Sequence, residues 1–195
     1  MAKRTIYLIR HGQQDRQPSY DDVLETGLTS LGRKQAALLG ERLKSVPATS
    51  IHSSDLRRAV ETADAIDKHF PKLKVQQTSL LRECVPSVPP SKERRPYFQK
   101  FSKSEIRQCK SNLDKIYETF FKPARGRDKC HLIVCHGNVI RYLICKMLKA
   151  APGAWVHMDI QNCGISTVVI EPQWGMYLLY HNDVAHLPKD MRTFI

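Results

Sequence analysis

Residues 5–12 read Thr-Ile-Tyr-Leu-Ile-Arg-His-Gly, and residues 132–137 read Leu-Ile-Val-Cys-His-Gly. Each is a short apolar run rich in β-branched residues, which is typical of a buried strand, and each ends in a histidine followed by a glycine. In an open α/β sheet, ligands bind beyond the carboxyl ends of the strands. If the two strands are neighbours, His11 and His136 face one crevice. The repeated stretch therefore predicts both an α/β fold and the place of its site.

The helices are predicted from the spacing of apolar residues and from capping residues. Thr29 is predicted to cap one helix and Ser54 a second. Ser102 and Glu105 form a capping-box pattern in front of a long amphipathic helix. Another helix is predicted to start after His136, where its free N–H groups and positive dipole end would face an anion.

Further short strands are predicted at 50–52 and 75–80. Two β-rich runs, 165–170 and 176–180, flank a turn and predict a C-terminal hairpin. The alternation of strands and helices predicts an α/β fold: a three-layer α/β/α arrangement with a mostly parallel sheet and helices on both faces. No linker interrupts the pattern, so residues 1–195 are predicted to form a single domain.

The composition excludes several classes of protein. The chain is 42% hydrophobic and 26% charged over 195 residues, which is ordinary for a soluble globular domain and argues against disorder. Its longest apolar runs are far shorter than a membrane-spanning helix needs, and no signal peptide precedes the first strand, so we expect no membrane segment and no secretion. The net charge of +12 invites a nucleic-acid interpretation. No recognised nucleic-acid-binding motif supports it. In addition, the aromatic residues lie at the spacing expected of core residues in helices and strands.

The six cysteines stand without a CxxC pair, and several lie inside apolar runs. This pattern is typical of buried free thiols in a reducing compartment. A zinc site built from Cys130, His131, Cys135 and His136 is disfavoured. Strand periodicity would place the first two on opposite faces, and no second ligand pair follows.

Arginines near the predicted crevice favour an anionic ligand. Arg10 precedes the first histidine, and Arg57 and Arg58 lie in the first turn of the helix that Ser54 is predicted to cap. A cation there opposes the helix dipole unless an anion is bound or the side chain reaches solvent. We expect Arg57 to be the one that reaches solvent. Glu83 alone would be interpreted as a surface carboxylate.

Five ordered segments resemble the histidine phosphatase superfamily, the phosphoglycerate-mutase-like proteins. The resemblance lies in Arg10-His11-Gly12, in the segment 28–36 (LTxxGxxQA), in the segment 54–63 (SxxxRAxxTA), in Leu81-Arg-Glu83 and in His136-Gly137. The register of the third segment selects Arg58 over Arg57. The tail around Asn182-Asp183 is also similar, so the resemblance covers nearly the whole chain.

This resemblance implies a mechanism without a metal or cofactor. It makes His11 the nucleophile that forms a phosphohistidine, and Glu83 the acid and base. Arg10, Arg58 and His136 would surround the phosphoryl oxygens, with Gly137 at the start of a helix that binds the phosphate. Bidentate guanidinium contacts and a helix N-terminus suit the charge of a transferring phosphoryl group.

Within the superfamily, the chain is most similar to a branch of mitochondrial serine/threonine-protein phosphatases. The shared segments are Leu80 to Glu83 and Cys135 to Tyr142. The resemblance implies phosphoserine and phosphothreonine proteins as substrates, a homo-oligomer, specifically a dimer, and association with the mitochondrion. The branch's membrane anchor and self-association motif are absent here, which for the chain as given predicts an intracellular, cytoplasmic protein. Cys84 stands where glycine is usual in that branch, and Gly12 where serine is common.

Two alternatives stay open at this point. One is a small-molecule phosphatase or a phosphoglycerate mutase, although mutases carry longer insertions around the pocket. The other is a catalytically weak phosphoprotein-binding or scaffold protein, although such a protein would be expected to lose His11 or Glu83. A phosphatase assay on a phosphoserine or phosphothreonine peptide separates these classes.

Part of the positive charge is concentrated in one segment, and this predicts a function for it. Residues 92–129 contain 12 Lys plus Arg and 5 Asp plus Glu, a surplus of 12 − 5 = +7. A solvated helix face accounts for this surplus by itself. The sharper hypothesis is a basic rim that steers acidic phosphoprotein segments toward the pocket.

Overall fold

The structure is a computed structural model that describes residues 2–15, 26–88 and 98–194. These residues form six strands and four α-helices. The strands are β1 (Arg4–Arg10), β2 (Ser50–Ser54), β3 (Val75–Thr78), β4 (Lys129–Cys135), β5 (Ile165–Glu171) and β6 (Gly175–Asp183). The helices are α1 (Ser30–Leu43), α2 (Arg57–Asp67), α3 (Lys103–Phe120) and α4 (Gly137–Met147).

All six strands form one sheet in the order β3-β2-β4-β1-β5-β6. The pairs β3–β2, β2–β4 and β4–β1 are parallel, and β1–β5 and β5–β6 are antiparallel. The sheet is therefore mostly parallel and ends in a C-terminal hairpin, which confirms the predicted α/β class. At the hairpin turn Gly175 has a φ of +74°, a left-handed conformation that glycine adopts without strain.

Alternating side chains of the central strands pack into two hydrophobic cores, one on each face of the sheet. Ile6 and Leu8 of β1 pack with α3 and α4, whereas Ile9 packs with α1 and α2. In β4, Ile133 and Val134 divide in the same way. Because neighbouring residues of a strand point to opposite faces, β1 and β4 need helices on both sides to be fully buried. The two helix layers confirm the predicted three-layer arrangement.

Two of the three predicted helix caps are confirmed. The Thr29 hydroxyl accepts a hydrogen bond from the Gly32 N–H at 2.9 Å, and Ser102 and Glu105 form the complete capping box of α3. The prediction that Ser54 caps α2 is wrong. Ser54 is the last residue of β2, where it lies opposite Thr78 of β3, and the helix begins three residues later without a side-chain cap.

The cysteine prediction is wrong for two of the six residues. Cys84 and Cys109 form a disulfide, because their Cα atoms lie 5.8 Å apart when the chain after β3 packs on α3. Cys130, Cys135, Cys145 and Cys163 are buried free thiols, as predicted.

No helix in the described ranges combines the length and the apolar character needed to cross a membrane. The proline-rich loop predicted between positions 86 and 96 lies outside the described residues from position 89 onward. The basic segment 92–129 is likewise described only from residue 98.

Candidate active site

His11 and His136 lie side by side because β1 and β4 are adjacent parallel strands. Arg10 pairs with Cys135 in the strand register, so the residue after each strand emerges at the same edge of the sheet. The backbone N–H of His11 donates to the backbone carbonyl of Cys135 at 3.0 Å. The two imidazole centroids are 5.1 Å apart. The sheet therefore brings both predicted histidines into one crevice.

The hydrogen bonds of the His11 ring define which nitrogen is free to react. Its Nδ1 lies 2.7 Å from the Gly12 carbonyl, which can only accept, so Nδ1 carries the proton. Its Nε2 faces the Arg58 Nε–H at 3.3 Å and therefore holds a lone pair. Burial, followed by the charges of Arg58 and Arg10, holds the pKa of His11 well below its usual value. His11 is a neutral imidazole whose Nε2 lone pair lies among cationic groups.

His136 is oriented by a residue from a third strand. Its Nε2 lies 3.0 Å from the Ser54 hydroxyl at the end of β2. Its Nδ1 is buried and has no hydrogen-bond partner in the described part of the chain. Burial first, and then His11 and the charges of Arg58 and Arg10, lower the pKa of His136. A buried polar atom without a partner is uncommon and points to a ligand contact.

Two helices begin at this crevice without side-chain caps. His136 is the N-cap of α4, and Leu56 is the N-cap of α2, and neither side chain accepts from the following backbone N–H groups. The first N–H groups of a helix have no partner within the helix and carry a partial positive charge. Two such termini at one edge of the sheet favour an anion there.

The two consecutive arginines of α2 have different environments, as expected. Arg58 is 3% exposed and lies against His11, whereas the Arg57 side chain is 65% exposed and pairs with Glu61 at 2.8 Å. Helical geometry explains the split, because successive residues point about 100° apart around the axis. Burial lowers the pKa of Arg58, and Glu83 opposes that shift.

Arg10 completes the group of cationic side chains. Its Nη1 donates to the Ile160 carbonyl, which fixes the guanidinium at the end of β1. The charge of Arg10 lowers the pKa values of both buried histidines. We call Arg10, His11, Arg58 and His136 the His–Arg cage.

Glu83 lies beside the His–Arg cage and is not an ordinary surface carboxylate. Burial raises its pKa, and the charges of Arg10, Arg58 and Arg141 act in the opposite direction. One carboxylate oxygen accepts the Cys84 N–H at 3.2 Å. The residues 82–88 that carry it contain neither helix nor strand, and we call them the acid loop. A raised pKa is the direction that a general acid needs.

The two glycines that follow the histidines differ in the space that a side chain would have. A Cβ at Gly12 would lie 2.6 Å from the Gly32 carbonyl oxygen of α1, so only glycine lets the chain pass so close to that helix. A Cβ at Gly137 would meet only ordinary contacts, the nearest being Arg10 Nε at 3.7 Å. Gly12 is therefore required by the close packing against α1, whereas Gly137 matters as the first residue of α4.

Several supporting residues escaped the sequence interpretation. The Asn162 amide donates to the His11 carbonyl at 3.1 Å, and Thr62 accepts from the Gly12 N–H at 3.1 Å. Asn138 donates to the Cys84 carbonyl at 3.1 Å. Thr62 and Asn138 lie inside the segments that resemble the superfamily, which was a usable signal. Asn162 carried no signal, since it is 151 residues from its partner.

The arrangement suits a doubly charged tetrahedral anion more than a metal ion. Arginines, helix N-termini and a buried imidazole donor all attract negative charge. Within the described residues, no group of three or more His, Cys, Asp or Glu side chains is placed to hold a metal. A neutral nucleophilic nitrogen and a carboxyl group on the same anion-binding crevice are the components of phosphoryl transfer.

Comparison with known proteins gives the same picture. The model of the histidine phosphatase superfamily, branch 1, matches residues 6–88 and 89–183. The chain is 38% identical to the mitochondrial serine/threonine-protein phosphatase Pgam5 of Caenorhabditis briggsae, over 99% of this chain and 68% of that protein. It is 33% identical to the human mitochondrial serine/threonine-protein phosphatase PGAM5, over 98% of this chain and 66% of that protein.

A solved structure shares the fold at similar sequence identity. The phosphoglycerate mutase of Plasmodium falciparum superposes with a TM-score of 0.65 and 30% sequence identity, covering 97% of this chain and 96% of that chain. The resemblance therefore extends over almost the whole of both chains.

Proposed function

The chain belongs to the histidine phosphatase superfamily, and we propose that it hydrolyses phosphoserine and phosphothreonine in proteins through a phosphohistidine at His11. The family and its relatives named as protein phosphatases make the chain a phosphatase. The observation that carries the mechanism is the His11 ring. Its Nδ1 proton is directed at the Gly12 carbonyl and its Nε2 lone pair lies beside Arg58.

In the first step, the His11 Nε2 lone pair attacks phosphorus while the bond from phosphorus to the serine or threonine oxygen breaks. The Arg58 guanidinium, 3.3 Å from Nε2, moves its contact to a phosphoryl oxygen. Arg10, the His136 ring and the first N–H groups of α4, starting at Gly137, bind the remaining phosphoryl oxygens. These preorganised donors stabilise the charge of the transition state.

Glu83 handles the protons of both steps. Its carboxyl group protonates the leaving alkoxide, which is otherwise a poor leaving group, and burial, which raises its pKa, favours the protonated form. The resulting carboxylate then takes a proton from the water that attacks phosphohistidine. The nitrogen–phosphorus bond breaks, inorganic phosphate leaves, and Glu83 regains its proton.

The proposal also covers domain extent, assembly and location. We propose that residues 1–195 act as one catalytic domain, since the family model matches from residue 6 to 183. The relatives named as mitochondrial support association with the mitochondrion. A homodimer stays a prediction that light scattering of the purified protein tests, and fluorescent tagging in cells separates mitochondrial from cytoplasmic location.

The test is hydrolysis of a phosphoserine and a phosphothreonine peptide by the wild-type chain and by His11→Ala. We expect phosphate release by the wild type and none above background by the variant, because no other group replaces the nucleophile. Near-wild-type activity of His11→Ala contradicts the mechanism. Incubation with 3-phosphoglycerate and a bisphosphoglycerate primer is the second arm, and mutase flux exceeding peptide hydrolysis contradicts the proposed substrate.

A further inference from the structure

The residue after the proposed acid is covalently bound to a distant helix. Cys84 follows Glu83 directly and forms a disulfide with Cys109 of α3, 25 residues further along the chain. The acid loop has no helix or strand of its own to fix its backbone. The disulfide therefore joins the loop that carries the carboxyl group to an 18-residue helix.

The same residue is also held by α4. The Asn138 amide donates to the Cys84 carbonyl at 3.1 Å, and the Asn138 oxygen accepts from the Arg141 guanidinium. Arg141 also donates to the Met158 carbonyl at 2.9 Å. Asn138 is thus fixed in one orientation before it contacts the acid loop.

Cys84 consequently has three attachments, each through a different group. Its sulfur is bound to Cys109, its carbonyl accepts from Asn138, and its N–H donates to the Glu83 carboxylate at 3.2 Å. The first two attachments fix the side chain and the carbonyl of Cys84, the residue whose N–H makes the third. Proton transfer to a leaving group requires a carboxyl group within hydrogen-bond distance, and an error of about 1 Å in placement can cost 10²-fold in rate.

We propose that the Cys84–Cys109 disulfide and the Asn138 amide are positioning elements for the Glu83 carboxyl group, so that reduction of the disulfide slows protonation of the leaving alkoxide. This inference rests on the proposed role of Glu83 as the acid. It makes the hydrolysis of phosphoserine sensitive to thiols at a place separate from the His–Arg cage.

A small dithiol has access to this bond. Cys84, Cys109 and Glu83 all line an open cavity of about 520 Å³ between the acid loop and α3. A thiolate of the dithiol attacks the sulfur of Cys84, the less buried of the two, and the Cys109 sulfur leaves with the electron pair and takes up a proton. The second thiol of the dithiol then attacks the reagent sulfur that is bonded to Cys84, and the Cys84 thiol is released. The protein disulfide is reduced by two electrons, and the dithiol is oxidised to a disulfide.

The other cysteines do not compete in this chemistry. Cys130, Cys135, Cys145 and Cys163 are buried thiols, and burial raises their pKa values, that of Cys130 to about 11. Reactive cysteines are exposed and ionise easily. In reducing compartments, the disulfides that do occur are usually transient, catalytic or redox-sensing.

The experiment compares two substrates before and after treatment with dithiothreitol, with alkylation to count the thiols released. One substrate is a phosphoserine peptide, whose alkoxide must be protonated, and the other is 4-nitrophenyl phosphate, whose phenolate leaves without help. After reduction we expect kcat/KM for the peptide to fall at least about tenfold more than that for the nitrophenyl ester, as loss of a positioned general acid predicts. A merely structural role would lower both values equally.

Variants of single residues separate the disulfide from other effects of the reagent. Cys109→Ser should show the same selective loss without dithiothreitol and no further change with it, and Asn138→Ala should show a smaller selective loss. Cys145→Ser removes a buried free thiol on α4 and should respond to the reagent as the wild type does. If Cys109→Ser does not fold, reduction of the folded wild type still decides the question.

Glu83→Gln is the reference for the acid itself. A selective loss on the peptide in Glu83→Gln, together with equal rates of oxidised and fully reduced wild type, overturns the positioning proposal and leaves the proposed function intact. If Glu83→Gln slows both substrates equally, the role of Glu83 as the acid is wrong, and the positioning proposal falls with it. Equal loss of both activities on reduction also overturns the positioning proposal.

Discussion

The His–Arg cage and the acid loop lie at one crevice but are held in different ways. His11 and His136 follow adjacent parallel strands, and Arg58 is the second residue of α2, so regular backbone hydrogen bonds determine their places. Glu83 lies in a stretch without regular structure and depends on contacts with residues 25 and 54 positions away from Cys84. Regular secondary structure therefore determines the position of the cage, whereas tertiary packing of a loop determines the position of Glu83.

The difference explains how much the sequence could predict. The apolar runs before His11 and His136 indicated two buried strands, and strand-end geometry then placed both rings in one crevice. The first turn of α2 indicated that one of two arginines reaches solvent, and the resemblance selected Arg58 as the other. Nothing in local periodicity pointed to Glu83, which alone resembled a surface carboxylate.

The disulfide was missed for the same physical reason. Cys84 and Cys109 are separated by 25 residues, and their approach depends on how the acid loop packs against α3. Local sequence patterns report on strands and helices, not on which loop meets which helix. Ser54 shows the opposite error, since a residue type that commonly caps helices here ends β2 and contacts His136 at 3.0 Å.

Removal of one cation of the cage should have a large effect on both substrates. Arg58→Ala should lower kcat/KM by about 10²–10³ for the phosphoserine peptide and for 4-nitrophenyl phosphate alike, because it removes a preorganised donor to the phosphoryl group in both reactions. Arg57→Ala is the matched control on the same helix. Within the described part of the chain it loses an exposed contact with Glu61, so its activity should stay within about twofold of wild type.

Leaving-group dependence separates the two regions. A cage variant lowers both activities, whereas Glu83→Gln should lower the peptide activity by about 10²–10⁴ and the nitrophenyl activity much less. Steady-state kinetics on both substrates measures the difference. Selective loss in Arg58→Ala, or uniform loss in Glu83→Gln, contradicts the assignment of roles.

Stability should depend on the acid loop more than on the cage. In the chain-entropy model, a disulfide that closes a loop of 25 residues stabilises the folded state by about 3.5 kcal/mol. Denaturant unfolding of Cys109→Ser should show a loss of this order, and Cys145→Ser provides the control for replacing a cysteine. A loss below about 1 kcal/mol contradicts the view that this bond constrains the chain.

The two regions should also respond to pH with opposite signs. The folded-state pKa of His11 is lowered by burial, so below pH 6.5 the unfolded chain binds more protons than the folded one and the free energy of unfolding falls. The slope approaches about 1.4 kcal/mol per pH unit for one histidine. Glu83 has a raised folded-state pKa, so its contribution is present at low pH and is lost as pH rises from about 4.3 through the folded-state value.

Variants in which the titrating side chain is replaced by glutamine, which does not titrate, isolate these contributions. Between pH 7.5 and 5.5, the unfolding free energy of His11→Gln should fall less than that of the wild type. Between pH 4.5 and 7.5, Glu83→Gln should gain stability relative to the wild type. Curves that are parallel for wild type and variant would show that the group does not change its proton affinity on folding.

The smallest expected effect concerns the basic surface outside both regions. α3 presents exposed Lys103, Arg107, Lys110 and Lys115, part of the basic segment 92–129. If this surface steers acidic phosphoprotein segments, kcat/KM for an acidic phosphopeptide should fall several-fold between about 0.05 and 0.3 M salt, as the Debye length shortens. The nitrophenyl ester should change less. An equal salt effect on both substrates contradicts steering and leaves a solvated helix face.

The most direct measurement is the capture of the covalent intermediate. Wild-type chain is mixed with a ³²P-labelled phosphoserine peptide and quenched in denaturant at alkaline pH, where phosphohistidine survives, and the labelled residue is located by mass spectrometry. We expect phosphate on the imidazole of His11, bonded through Nε2, and no label in His11→Ala. Label on another residue, or full turnover with no label on His11, contradicts it.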